Sequence, residues 1–285
     1  MSANGARFHV AEAGPADGPL VLLLHGLPQF WWAWRHQLTA LAEAGWRAAA
    51  MDLRGFGASD KPPRGYDTMT STADVAGVVR SLGAPRAVVV GHGLGGWVAW
   101  SMPALQPRVT RAVVPVSVAH PLRMRSTGLL PTGLLSARAL ASYQVPWLPE
   151  RRLRHGDHVE AMLRQWSARP GWPGPEEVER YTAGMRVPFV AHSAMEYYRW
   201  AVRSLLRPDG LRFARAVQRT VTVPVLQLHG AQDPVVPPRR ARGSSVYVEG
   251  PYRWELVPGA GHFPAEEAPA AVTAALTDWL GGLPG

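Results

Sequence analysis

The chain has 285 residues, of which 47% are hydrophobic and 18% are charged, and its formal net charge is +9. This composition excludes a disordered chain, and the absence of cysteine excludes disulfides, thiolate catalysis and cysteine-ligated metal sites. Lys61 is the only lysine. We interpret the arginine excess as a codon-usage bias rather than a phosphate-binding face, and we expect no nucleic-acid partner.

Short apolar runs alternate with amphipathic stretches through the first 120 residues. Strands are predicted over residues 7–12, 20–25, 46–52, 86–90 and 109–118, and helices over 32–44, 72–82 and 95–105. The run from residue 20 to 24 contains only Leu and Val, which is typical of a strand buried on both faces. This alternation predicts an α/β fold with a mostly parallel central sheet flanked by helices.

The pattern changes after residue 120. Helical segments interrupted by proline continue to about residue 215, strands are predicted again at 223–229 and 253–257, and a last helix is predicted over 265–280. We therefore expect residues 1–120 and 216–285 to form the core and residues 121–215 to form an inserted helical cap. Residues 121–220 contain 16 arginines and 8 acidic residues, so the cap carries nearly all of the net charge.

The N-terminal residues lack the basic segment and apolar core of a signal peptide, and the apolar runs are too short to span a bilayer. We therefore expect a cytoplasmic protein, as a monomer or a homodimer. The sequence predicts no metal site and no cofactor.

Residues 91–96, Gly-His-Gly-Leu-Gly-Gly, follow a predicted strand, begin a predicted helix and match two motifs. The dinucleotide fingerprint G-x-G-x-x-G also requires an acid about 20 residues later, but no Asp or Glu occurs between Asp74 and Glu150. The nucleophile elbow, G-x-Nuc-x-G, fits better. It places the nucleophile at Gly93, which has no side chain.

Other parts of a hydrolase site follow in the chain order that this elbow requires. Asp233 and His262 each lie in a loop after a predicted strand, where an acid can orient an imidazole. The backbone N–H groups of Leu27 and Leu94 are candidates for an oxyanion hole. The loops of Asp233 and His262 are each, taken alone, typical of a simple turn. Their position after the elbow, with the acid before the histidine, favours the α/β-hydrolase fold. Ser117 ends a neighbouring strand, but nothing in the sequence pairs it with His262.

Residues 25–35 and 44–62 resemble the epoxide hydrolase branch of the α/β-hydrolase superfamily, to which haloalkane dehalogenases are related. The similarity covers almost the whole chain and is weakest in the cap. In that branch an Asp stands at the position of Gly93 and attacks an epoxide carbon, and a His–Asp pair then activates the water that hydrolyses the ester. The resemblance assigns this pair to His262 and Asp233.

The cap of that family also supplies two tyrosines whose hydroxyls hydrogen-bond the epoxide oxygen. The resemblance assigns these roles to Tyr143, in Ser-Tyr-Gln-Val, and to Tyr198, in Met-Glu-Tyr-Tyr-Arg-Trp. Tyr197 is an alternative to its neighbour.

Three functions remain open. The first, which we favour because the base, its acid and the oxyanion loop are all retained, is a hydrolase of a small apolar epoxide or ester. In it, His262 and Asp233 activate water without a covalent nucleophile. The second is a lyase or a cofactor-free proton-transfer enzyme, and the third is a catalytically inactive ligand-binding protein.

We expect Trp31, Trp97 and Pro28 to contact an apolar small-molecule substrate at a Trp-rich entrance that also includes Trp32, Trp34 and Trp100. The arginine-rich cap suggests a substrate with an anionic or lipid-like end, or weak contact with a membrane surface or anionic lipid.

Overall fold

The computed structural model of the chain describes residues 1–126, 134–155 and 157–283. The strands are β1 Ser2–Ala3, β2 Ala6–Arg7, β3 Val10–Ala13, β4 Leu20–Leu24, β5 Arg47–Met51, β6 Ala87–His92, β7 Thr110–Val116, β8 Val225–Gly230 and β9 Tyr252–Val257. The α-helices are α1 Arg35–Glu43, α2 Thr68–Ser81, α3 Leu94–Leu105, α4 Pro121–Ser126, α5 Leu134–Tyr143, α6 Leu148–Arg154, α7 His158–Trp166, α8 Pro175–Arg186, α9 Val190–Arg203, α10 Pro208–Ala216, α11 Pro238–Arg242, α12 Pro264–Glu267 and α13 Pro269–Gly281.

In the described part of the chain, seven strands form the central sheet in the order β3-β5-β4-β6-β7-β8-β9. Among these described strands, only the edge strand β3 pairs antiparallel, and the other five pairings of the sheet are parallel. Every residue of β4 is buried, as its unbroken apolar sequence requires for a strand covered on both faces. The predicted α/β fold is therefore confirmed, and the carboxyl ends of the parallel strands share one edge of the sheet.

The first predicted strand, over residues 7–12, is confirmed only in part, because the structure divides it between the two short strands β2 and β3. β2 pairs with β1 in a separate hairpin, whereas β3 pairs with β5 at the edge of the main sheet. The chain leaves one sheet for the other at Phe8 and His9, where the His9 N–H donates to Ser59 Oγ at 3.0 Å. An alternating sequence pattern does not reveal that consecutive residues belong to different sheets.

Three helices differ from their predicted bounds for local reasons. α2 begins before residue 72, because Asp67 caps it by accepting a hydrogen bond from the Thr70 N–H at 2.9 Å. The predicted helix over 32–44 is a 3-10 turn, Trp31–Trp34, followed by α1. The last predicted helix is divided into α12 and α13, because Pro269 disfavours a helical conformation at Ala268.

The helices α4 to α10 lie between β7 and β8, and all regular elements in the described part of residues 121–220 are helical. The exact cap boundary of 121–215 stays a prediction. The His262 N–H donates to the Trp166 carbonyl at 2.8 Å, and the Tyr181 hydroxyl donates to Glu266 at 2.7 Å. These contacts hold the helical segment against the loops at the carboxyl edge of the sheet. None of the described helices has the length and apolarity needed to cross a membrane.

Candidate active site

The turn between β6 and α3 has the geometry of a nucleophile elbow. Its flanking glycines are required by close backbone packing. A Cβ at Gly91 would lie 2.2 Å from the Gly95 carbonyl oxygen, and a Cβ at Gly95 would lie 2.4 Å from the Leu24 carbonyl oxygen. The elbow residue itself, Gly93, has φ +51° and ψ −109°, a conformation that L side chains adopt only under strain.

Gly93 differs from the flanking glycines because space is available for a side chain there. Among the described residues, the nearest atoms to a Cβ built on Gly93 are Gly26 Cα and His262 Nε2, each at 3.8 Å and in ordinary van der Waals contact. The missing side chain would therefore point at the imidazole. Close backbone packing explains why positions 91 and 95 are glycine, but it does not explain why position 93 is glycine.

Asp233 and His262 form a hydrogen-bonded pair after β8 and β9. The His262 Nδ1–H donates to Asp233 Oδ2 at 2.9 Å, and the other carboxylate oxygen accepts from the Val235 and Val236 N–H groups at 2.8 and 3.0 Å. His229 Nε2 lies 3.2 Å from Asp233 Oδ2. Burial acts to raise the pKa of the Asp233 carboxyl, but the charge of His262 and the hydrogen bonds from His229 and His262 outweigh it and hold the pKa below its usual range. A carboxylate so held fixes Nδ1 as the donor and leaves Nε2 facing Gly93.

His92, the residue before the elbow, supports the loop that carries the base. Its Nε2–H donates to the His262 carbonyl at 2.7 Å, and its Nδ1 lies 2.8 Å from the Gln29 side chain. Burial and the neighbouring His262 lower the pKa of His92 to about 3. His92 is therefore a neutral hydrogen-bonding support rather than a second base.

Glu267 ties the loop of His262 to the segment after α7. Its Oε2 accepts from the Gly261 N–H at 2.8 Å, the Ala168 N–H at 2.8 Å and the Ser167 hydroxyl at 2.9 Å. Its Oε1 accepts from the Phe263 N–H at 2.9 Å. One buried carboxylate thus holds the backbone on both sides of His262. The sequence analysis missed Glu267, because an acid in a helical pattern gives no sign of buried backbone partners.

We expect Glu267→Ala to lower the free energy of unfolding by at least about 3 kcal/mol, since several buried N–H groups lose their acceptor. Urea unfolding followed by tryptophan fluorescence measures this loss. Glu179→Ala, at an exposed position on α8, is the matched control and should change stability by less than about 0.5 kcal/mol. Equal stability of the two variants would show that Glu267 does not hold this loop.

A cavity of about 460 Å³ lies over the elbow. Gly93, Leu94, Trp97 and His262 contribute to its core wall, and its cap wall includes Trp166. The remaining wall is mostly apolar, and the volume falls within the range of small-molecule sites, about 300–1,000 Å³. The sequence analysis missed Trp166, because a tryptophan on a cap helix gives no sign of which core loop it contacts.

The structure brings Tyr143 and Tyr198 together on the cavity wall, with their ring centroids 5.2 Å apart. Burial raises the pKa of both hydroxyls above their usual value, so each remains a protonated donor at neutral pH. Tyr197 also lines the cavity, but its hydroxyl donates to the Arg54 carbonyl at 2.9 Å. The Tyr197 hydroxyl is therefore already engaged in a hydrogen bond within the protein.

Several predicted contacts lie elsewhere. Trp31 and Pro28 are not among the residues that line this cavity, and Trp31 instead packs against His9 with ring centroids 5.8 Å apart. The expected Trp-rich entrance is also wrong, because Trp34 and Trp100 are fully buried in the core. Among the predicted tryptophans of the described chain, only Trp97 reaches the cavity.

The predicted oxyanion hole depends on two backbone donors. The Leu27 and Leu94 N–H groups have no hydrogen-bond acceptor within the described residues. The Gly95 N–H donates to the His25 carbonyl at 3.1 Å, which joins the loop of Leu27 to the elbow. Leu94 lines the cavity and Leu27 does not, so their joint role stays a prediction.

Ser117 follows β7 next to the elbow and contributes to the cavity wall. Its φ is +55°, and its buried hydroxyl has no partner in the part of the chain that the structure describes. No hydrogen bond joins the Ser117 hydroxyl to His262, so the structure gives this serine no base.

Among the described residues, no group of His, Asp and Glu is arranged to hold a metal ion.

Comparison with known proteins gives a consistent result. A family model described as alpha/beta hydrolase fold matches residues 19–269. The chain is 33% identical to Epoxide hydrolase A of Mycobacterium tuberculosis, over 99% of this chain and 97% of that protein. It is 31% identical to the AB hydrolase superfamily protein YfhM of Bacillus subtilis, over 98% of this chain and 96% of that protein.

Solved structures agree with these sequence matches. The crystal structure of Epoxide Hydrolase A from Mycobacterium thermoresistibile superposes with a TM-score of 0.85 at 30% identity, over 100% of this chain and 98% of that chain. The crystal structure of Cfl2 from Burkholderia cenocepacia gives a TM-score of 0.83 at 27% identity, over 98% of this chain and 94% of that chain.

Proposed function

Because the chain belongs to the alpha/beta hydrolase fold family and is epoxide-hydrolase-like, we propose that it hydrolyses a small apolar epoxide or ester by activating water directly. The observation that carries this proposal is the position of His262 Nε2, 3.8 Å from the point where a nucleophile's Cβ would stand on Gly93. A glycine at that point leaves room for a water molecule within reach of a base. The base keeps its orienting carboxylate at 2.9 Å.

The proposed reaction is general-base hydrolysis in one displacement. His262 Nε2 takes a proton from water, and the water oxygen forms a bond to an epoxide carbon. The bond between that carbon and the ring oxygen breaks, and the ring oxygen takes a proton from a cap tyrosine, which becomes a tyrosinate. The proton on His262 then passes through solvent to this tyrosinate, so that both groups are restored and one epoxide and one water give one diol. Asp233 stabilises the imidazolium that forms during this step.

Tyr143 and Tyr198 are the proposed electrophilic side of this reaction. Both line the cavity shared by Gly93 and His262, and neither hydroxyl donates to a nitrogen or oxygen acceptor within the described chain. The Tyr143 hydroxyl lies 4.0 Å from Met162 Sδ, a weak acceptor. Both donors are thus available for a ring oxygen. For an ester, the Leu27 and Leu94 N–H groups would hold the oxyanion instead.

Hydrolysis of styrene oxide and 1,2-epoxyoctane to diols, followed by chromatography, tests this function. We expect Tyr198→Phe and Tyr143→Phe each to lower kcat/KM by about 10- to 100-fold, because one charge-stabilising donor is lost. Tyr252→Phe is the matched control, since its hydroxyl bonds Gln227 at 2.9 Å away from the cavity. Undiminished epoxide hydrolysis in both cap variants would rule out this role for the tyrosines, and no hydrolysis of any epoxide or ester by the wild type would overturn the function.

A further inference from the structure

Arg125, on α4, differs in charge from the rest of the cavity wall. Among the described residues that line the cavity it is the only Asp, Glu, Lys or Arg. The rest of the wall is apolar or neutral, apart from the imidazole of His262. Arg125 is therefore the one permanently charged residue among the described residues that line the cavity.

No carboxylate of the described chain pairs with Arg125. Its Nη1 donates to Ser204 Oγ at 3.3 Å and its Nη2 donates to the Gly210 carbonyl at 3.4 Å, and both bonds are long. Asp209, adjacent to that carbonyl, instead accepts from Trp200 Nε1 at 2.9 Å. Residues 75–149 contain no acid, so no carboxylate lies close to Arg125 in the sequence.

The two arginines that are buried in the described part of the chain, Arg54 and Arg199, are paired with carboxylates. Arg54 binds Asp74 through two nitrogens at 2.6 and 2.7 Å. Arg199 binds Glu150 at 2.6 Å and Glu196 at 3.0 Å. Removing a cation from water without a counter-charge is unfavourable, and these pairs offset that cost.

Burial lowers the pKa of the Arg125 guanidinium. An arginine nevertheless keeps its charge at neutral pH, so the cost cannot be avoided by losing a proton. The half-buried charge of Arg125 is thus left with two neutral acceptors. A ligand in the cavity can supply the missing anion.

We propose that Arg125 binds the carboxylate of an elongated apolar acid whose reactive group lies at His262. A guanidinium fork matches a carboxylate in shape, and one cation in an apolar wall suits one negative charge better than the two of a phosphate monoester. This inference rests on the proposed function, because it names the substrate class of that site. It also predicts binding that can be measured without turnover.

The two ends of the ligand are held by different elements. Arg125 contacts Ser204 and Gly210 near the start of α10, whereas His262 contacts Trp166 and Asp233. Arg125 and His262 line the same cavity from different elements and do not contact each other in the described structure. The carboxylate and the reactive group are therefore expected at separate positions along the ligand.

Isothermal titration of the full-length protein with decanoate and with decanamide tests the binding directly. We expect wild type to bind decanoate at least about tenfold more tightly than decanamide, and Arg125→Gln to remove this difference while decanamide binding stays unchanged. Arg125→Lys should keep part of the preference because it keeps the charge. Arg203→Gln, which removes an exposed arginine of α9 outside the cavity wall, is the matched control and should bind as wild type does.

Turnover separates this inference from the proposed function. 10,11-Epoxyundecanoate should have a lower KM than its methyl ester with wild type, and this difference should disappear in Arg125→Gln. Hydrolysis of both compounds without a carboxylate preference would overturn the inference and leave the function standing. A carboxylate preference in binding without hydrolysis would overturn the function and leave the inference standing. If Arg125→Gln does not fold, equal binding of decanoate and decanamide by wild type would still overturn the inference.

Discussion

Replacing Gly93 by Asp is expected to raise kcat/KM for styrene oxide by at least about 100-fold and to introduce an alkyl-enzyme ester. The physical reason is proximity, because a positioned carboxylate attacks the epoxide intramolecularly, with effective molarities on the order of 10⁵ M or more. The introduced Cβ would lie 3.8 Å from His262 Nε2, which then activates water against the ester. Initial rates of diol formation measure the gain.

The elbow is expected to accept this substitution. A Cβ on Gly93 meets no described atom closer than 3.8 Å, so no steric clash opposes it. Its φ of +51° strains any L residue, and we expect a cost of about 1–3 kcal/mol in the free energy of unfolding. Ser117, which has φ +55°, shows that this protein accommodates a non-glycine residue with a positive φ next to the elbow.

Two further variants test the mechanism of the gain. Adding His262→Ala to Gly93→Asp should trap the ester, so that intact mass rises by one epoxide per chain. Gly93→Ser is the parallel change for ester substrates, since a serine can be activated by the same imidazole. Folded Gly93→Asp and Gly93→Ser proteins that are inert toward both substrate classes would contradict the assignment of the elbow.

His262→Ala in the otherwise unchanged protein is expected to lower kcat for epoxide hydrolysis by about 10²- to 10⁴-fold, because the proposed general base is lost. Asp233→Asn should cause a smaller but still large loss, since Nδ1 would no longer be held by a carboxylate at 2.9 Å. His192→Ala is the matched control, because this histidine is exposed on α9. Equal rates for His262→Ala and His192→Ala would remove His262 from the mechanism.

The parts of the site that the sequence predicted lie at strand ends. The elbow, Asp233 and His262 each follow a strand of a parallel sheet, and the carboxyl ends of such strands meet at one edge. Chain order and local motif were therefore enough to place Gly93 opposite His262. The distance of 3.8 Å between the built Cβ and Nε2 agrees with that reasoning.

The parts that the sequence did not predict depend on packing between distant segments. Trp97 and Trp100 lie one helical turn apart on α3, yet Trp97 reaches the cavity and Trp100 is fully buried in the core. Glu267 and Arg125 are ordinary charged residues in helical patterns, and their roles depend on which partners are present or absent in space. The local sequence around each residue does not indicate which partners it has in space.

A single turnover of styrene oxide in water enriched in oxygen-18, with the wild-type protein in excess, tests the central claim most directly. If water activated by His262 attacks the epoxide, each diol formed in this first turnover carries one oxygen-18 atom, and the mass of the protein stays unchanged. A first-turnover diol without oxygen-18 would show that an oxygen atom of the protein attacked the epoxide, and would contradict the account.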